Sequence, residues 1–184
     1  LQASPLLGPG SSAVIIGVGG LGHIAIQILR TLTPARIIAV DRKPEKLAHA
    51  LALGADDAVA AGEGAAGAIR EMTGGLGAAL VLDLVGNDAT LGFAQSVLAQ
   101  GGQLQIVGVG GGTLPLRFHE MPRDATVAVP YAGTCGDLRA VVGLAQQGHV
   151  HAEIVEVGFD DLAETYARME AGTLPGRAVL VPGR

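Results

Sequence analysis

Six residues, Gly17-Val18-Gly19-Gly20-Leu21-Gly22, follow directly on the apolar run Ala13–Ile16 and open a helical pattern. That placement gives each outer glycine a task. Gly17 permits a tight turn out of a strand, Gly19 lets backbone approach a pyrophosphate where a Cβ would clash, and Gly22 lets the helix lie close on a sheet. The N–H groups around Gly20 and Leu21 lie at the helix start, where intrahelical acceptors are missing. They can hold phosphate oxygens, aided by the helix dipole. In a chain with 29 glycines the pattern alone is weak. Asp41 makes it specific, standing nineteen positions after Gly22 at the end of the apolar run Ile37–Val40. A carboxylate at a strand tip can accept hydrogen bonds from both adenosine ribose hydroxyls and repels a 2′-phosphate, which predicts NAD over NADP. Arg42, beside the same tip, could accommodate a 2′-phosphate; with Asp41 in place it reads as stacking on the adenine or lying in solvent.

These residues need a strand–turn–helix frame, and the chain supplies one repeatedly. Strand-like runs at 13–16, 36–40, 57–60, 78–83, 103–109 and 125–129 alternate with helical patterns at 21–32, 45–53, 64–73 and 89–100. The last of these helices is read as stopping at Gly101-Gly102. The strands are apolar throughout, as expected when both faces of a parallel sheet are covered. The predicted fold is α/β: a Rossmann doubly wound six-stranded parallel sheet with helices on both faces, order 3-2-1-4-5-6. Residues 1–150 are assigned to this dinucleotide-binding domain. Helical patterns follow at 137–147 and 160–172, with an extended stretch at 153–157 and a last strand at 177–181. Residues 151–184 do not continue the alternation and are read as a separate return segment.

Composition narrows the function classes. Hydrophobic residues make up 49% of the 184, enough for a core, with a net charge of −5. An acidic chain has no general affinity for nucleic acid or anionic membrane. No apolar run approaches the roughly 18–20 residues of a membrane span. The N-terminus has no signal-peptide pattern and no initiator Met, so a processed or excised piece is expected. One cysteine, Cys135, excludes an internal disulfide, and a reducing cytoplasm is the expected compartment.

Other chemistry-bearing residues carry less. His149 and His151 lack a convergent third ligand and read as exposed loop histidines rather than a metal site. Cys135 reads as a partly buried small residue, with no base nearby in sequence. His23 either lies near the pyrophosphate or packs in its helix. Asp83, at the end of the fourth strand, either shapes the ligand crevice or caps the turn Gly86-Asn87-Asp88. Gly74-Gly75-Leu76-Gly77 precedes a strand, so it reads as a loop rather than a phosphate cradle.

The stretches Ala13–His23, Ala39–Leu47, Gly54-Ala55-Asp56, Gly77–Asp83, Ile106–Gly110 and Gly172–Val179 together resemble the coenzyme domain of the zinc-dependent medium-chain alcohol dehydrogenases. The nearest likeness is to the bacterial NAD-dependent secondary alcohol dehydrogenases. The resemblance implies that Asp41 and Lys46 hold the adenosine ribose. It implies that Val85 flanks the nicotinamide, that Val107, Gly108 and Val109 line its ring and carboxamide, and that Arg177 contacts the pyrophosphate. It implies zinc only in a catalytic domain absent from these residues, a small alcohol or ketone as substrate of the full-length enzyme, and a homodimer or homotetramer. The strand at 126–129 is the expected dimer edge, since an apolar edge strand needs a partner. The chain alone is expected to bind NAD(H) without oxidising an alcohol. Two other readings stand beside this: a non-catalytic nucleotide-binding or redox-sensing module, and a zinc-free quinone-reductase relative, against which Asp41 argues.

Overall fold

The computed structural model describes residues 6–183, which fall into two compact units divided between Val150 and His151. The first unit runs β1 (Ser12–Ile16), α1 (Gly22–Leu32), β2 (Arg36–Asp41), α2 (Pro44–Ala52), β3 (Asp57–Ala60), α3 (Ala65–Met72), β4 (Ala78–Asp83), α4 (Asp88–Val97), β5 (Leu98–Ile106), β6 (Thr126–Ala128) and α5 (Cys135–Gln146). Its six strands form one parallel sheet in the order β3-β2-β1-β4-β5-β6, the doubly wound order expected.

The two-residue pleat explains why the strands are apolar throughout. On one face, Val14, Ile16, Ile38, Val40 and Val81 pack with Ala65 and Ile69 of α3 and Ala94 and Val97 of α4. On the other, Ala13, Ile15, Ile37, Ala39 and Leu80 pack with Ile26 and Leu29 of α1 and Ala50 of α2. In β1 and the interior of β2 each residue is buried whichever way it points, so no solvent-facing polar alternation survives there. The reversal of winding between β1 and β4 opens a crevice at the carboxyl edge of the sheet, where the glycine loop and Asp41 lie.

Several boundaries differ from the sequence reading. The fourth helix ends at Val97, not Gln100, and β5 begins at Leu98. Leu98 pairs with Ala78, then the register slips so that Gln103 pairs with Leu80. Gly101 and Gly102 therefore lie inside an irregular strand rather than ending a helix. Gly101 has φ +65°, and a Cβ on Gly102 would meet the Ala99 carbonyl at 2.9 Å. β5 also stops at Ile106, which leaves Val107–Val109 in the following loop. On α1 the buried stripe is His23, Ile26, Gln27 and Leu29 with Ile28, while Leu21 and Leu32 are exposed. Cys135 is exposed at the start of α5, contrary to the partly buried expectation. None of α5 is buried.

The second unit continues the alternation that the sequence reading ended at residue 150. β7 (Ile154–Val157), α6 (Leu162–Glu170) and β8 (Arg177–Leu180) make a βαβ turn with β7 and β8 paired in parallel. Gly176 sits at φ +67°, its backbone hard against Glu153.

Candidate functional site

Gly17 N–H donates to the Val40 carbonyl at 2.8 Å, which bends the chain across the tips of β1 and β2. Gly17 takes φ +93°, a conformation that disfavours a side chain, and a Cβ there would come within 2.8 Å of Val85 Cγ2. A Cβ at Gly22 would lie 2.0 Å from the Gly17 carbonyl oxygen, so α1 can start this close to β1 only with glycine. Gly19 is the opposite case: it is exposed and nothing lies within 4 Å of where its Cβ would be. α1 has no side-chain cap at its N-terminus. The loop thus presents open backbone, against a helix start, where an anion can come close.

Asp41 is tied into this loop. Its Oδ2 accepts from Val18 N–H at 2.8 Å and its Oδ1 from Lys43 N–H at 3.1 Å. A carboxylate has about four acceptor sites, so two such bonds leave capacity for a pair of vicinal hydroxyls. Arg42 is exposed, and Lys46 is half-buried in the first turn of α2. Gly20 and exposed Leu21 occupy the positions in the loop that the sequence assigns them. His23 is buried, and its Nδ1 lies 2.9 Å from the Gly19 carbonyl. A carbonyl can only accept, so Nδ1 carries the proton and holds the loop from the helix side. Packing and loop contact are both true of this residue.

The other half of the crevice is built on Asp83, the last residue of β4 and fully buried. Its Oδ1 accepts from Val85 N–H and Gly86 N–H, both at 2.9 Å. Its carbonyl accepts from Val107 N–H at 2.8 Å and Gly108 N–H at 2.9 Å. Gly110 N–H then donates to the Val85 carbonyl and Gly112 N–H to that of Gly86. The two loops lie backbone to backbone: a Cβ at Gly108 would be 2.2 Å from the Val85 carbonyl carbon. Val85, Val107 and Gly108 are half-buried and adjacent, while the Val109 side chain is exposed. The Asp83 side chain therefore caps a turn one residue earlier than the expected Gly86-Asn87-Asp88, at Val85 and Gly86, and Asn87 caps α4. The glycine spacing at 86, 108, 110 and 112 was the available signal for the loop contact, but nothing marks which glycines meet.

Arg177 opens β8 in the second unit, where its N–H donates to the Glu153 carbonyl at 2.8 Å. Among the described residues, no group of three or more His, Cys, Asp or Glu is placed to hold a metal ion. A cleft of about 1300 Å³ lies at the amino edge of the sheet, away from the glycine loop. Its three arginines are engaged: Arg30 with Asp56, Arg36 with Asp57, and Arg70 with the Ser96 carbonyl.

The family model described as zinc-binding dehydrogenase matches residues 20–162. The crystal structure of the alcohol dehydrogenase from Aeropyrum pernix superposes with a TM-score of 0.91 at 38% identity, over 98% of this chain and 53% of that one. A D-arabinose 1-dehydrogenase (NADP(+)) of Saccharolobus solfataricus is 32% identical over 98% of this chain and 53% of its own length. An NAD-dependent alcohol dehydrogenase of Sulfurisphaera tokodaii is 33% identical over 96% and 52%. The chain spans about half the length of the curated relatives it matches.

Proposed function

The chain belongs to the zinc-binding dehydrogenase family, and from that premise we propose that it is the NAD(H)-binding part of an alcohol dehydrogenase. The observation that carries the reading is Asp41, whose carboxylate is fastened to the glycine loop through Val18 N–H at 2.8 Å. The relatives' names include both coenzymes, so the choice rests on this carboxylate. A 2′-phosphate brought to it would meet like charge, whereas ribose hydroxyls would meet acceptors.

The residues fit the coenzyme. The open face of Gly19 and the uncapped start of α1, around Gly20 and Leu21, would receive the pyrophosphate. Gly17 and Gly22 would keep the loop low enough to allow it. Lys46 would assist Asp41 at the ribose, and Arg42 would lie over the adenine. Val85, Val107, Gly108 and Val109 would wall the nicotinamide. When bound, the nicotinamide supplies a hydride acceptor or donor at C4 for interconversion of a secondary alcohol and a ketone. The chain's own contribution is to bind and orient. Residues 1–150 would serve as the coenzyme domain and 151–184 as the segment returning toward a catalytic domain. Zinc, as a Lewis acid on the substrate oxygen, and the substrate pocket would belong to that further domain. We place the chain in a reducing, cytoplasmic setting, where an exposed thiol such as that of Cys135 stays reduced. Among the described residues no helix is long and apolar enough to cross a membrane.

Calorimetric titration of the chain with NAD and with NADP tests the central point. NAD is expected to bind at least about tenfold more tightly. Tighter binding of NADP, or binding of neither, would overturn the reading.

A further inference from the structure

We propose that Asp83 is a positioning residue for the nicotinamide half of the coenzyme, clasping the loop after β4 to the loop after β5. The proposal rests on the NAD reading above and extends it to a residue outside the glycine-loop machinery.

One residue here holds four backbone donors. Oδ1 takes the N–H groups of Val85 and Gly86, and the carbonyl takes those of Val107 and Gly108. Three of the four, Val85, Val107 and Gly108, are residues that would face the nicotinamide, and each loop alone is an irregular segment without a ladder to hold it. Asp83 follows Val81 by two positions, so its side chain leaves the strand on the α3/α4 side, beneath the loop that leads into α4. From there the carboxylate fixes Val85 and Gly86 from below while the glycines permit contact: a Cβ at Gly86 would sit 2.2 Å from the Gly108 carbonyl oxygen.

The cost of the arrangement points the same way. Asp83 is fully buried, and its Oδ2 is buried with no hydrogen-bond partner among the described residues. An unsatisfied carboxylate oxygen in an interior is unfavourable. A turn needing a cap alone is served by a partly exposed Asn or Ser, as Asn87 does at the start of α4 four residues on. A buried carboxylate is the more demanding choice. What it adds is an anchor seated within the sheet that holds the loop after β4, while the backbone carbonyl of the same residue holds the loop after β5.

The test separates the two halves of the coenzyme. Asp83→Ala removes both Oδ1 bonds, and NAD affinity should fall at least about tenfold. AMP, which carries only the adenosine end, should bind within about twofold of wild type. Asp83→Asn keeps an acceptor at Oδ1 and should restore NAD affinity to within about threefold. Equal loss of AMP and NAD in Asp83→Ala, or failure of Asp83→Asn to rescue, would overturn the proposal. So would an unchanged NAD affinity in Asp83→Ala beside a wild type that binds NAD, with the coenzyme reading left intact. A wild type that binds neither AMP nor NAD would overturn the coenzyme reading and this one with it. Should Asp83→Ala not fold, amide hydrogen exchange on the wild-type chain decides. Val85, Gly86, Val107 and Gly108 should exchange slowly and as a group, and rapid exchange at Val85 and Gly86 would overturn the clasp.

Discussion

Asp41 has two duties that a single substitution confounds. It offers charge and acceptors at the strand tip, and it anchors Val18 and Lys43 by their N–H groups. Asp41→Ala removes both, so NAD affinity should fall by about 10- to 100-fold, the scale of lost charge-assisted bonds. Asp41→Asn removes the charge but keeps one acceptor oxygen for the loop. It should lose less NAD affinity than the alanine variant and gain on NADP, narrowing the ratio of the two dissociation constants. Calorimetry on the two variants checks this; equal losses would mean that the anchor contributes nothing. The sequence makes Asp41 and the three outer glycines legible because their residue types are themselves the requirement. It hides the partners: Val18 and Lys43 meet Asp41 only through backbone N–H groups, which nearly every residue has.

At the scale of elements, the strands declare themselves by apolar runs, and the boundaries by local chemistry that tertiary contact can override. β5 shows the override. Its start at Leu98 is set by pairing with Ala78, across a register slip that no local pattern encodes. The amino edge of the sheet offers a pH test. Asp56, just before β3, accepts from Ile37 N–H at 2.7 Å and pairs with Arg30 of α1. Partial burial pushes its carboxyl up, but the Ile37 N–H and the Arg30 guanidinium pull it down further, to below its ordinary value of 3.8. With the folded value below the unfolded one, its contribution is complete above about pH 4 and is lost as pH falls through the folded value. The side chain is 41% exposed, so the contribution should be about 1 kcal/mol or less. Asp56→Asn should therefore lower the urea midpoint slightly at pH 7 and match wild type near pH 2. A gap that persists or grows in acid would contradict the assignment.

At the scale of the whole molecule, β6 is, with β3, one of the two terminal strands of the six-stranded sheet. Val129 and Tyr131 beyond it are largely exposed, as are Leu138 and Val142 on α5. A terminal strand with exposed apolar residues after it would suit association. We expect the chain to form dimers through this edge, and Val129→Lys to shift it to monomer. Light scattering across a concentration series checks this; a wild-type monomer throughout would refute it.

Sequence by itself determined the doubly wound class, the glycine loop and the acidic residue at the second strand tip. Each depends on residue type at a local spacing: apolar runs covered on both faces, glycines where a Cβ cannot fit, a carboxylate where hydroxyls can be received. Tertiary structure alone decided that Asp41 is bonded to the loop it faces, that Asp83 holds one loop by its carboxylate and the next by its backbone carbonyl, that the glycines at 86, 108, 110 and 112 bring those loops into backbone contact, and that residues after 150 form a βαβ turn of their own. Those features are made by backbone groups meeting across many residues. Backbone groups are nearly the same at every position, so only the fold shows which of them meet.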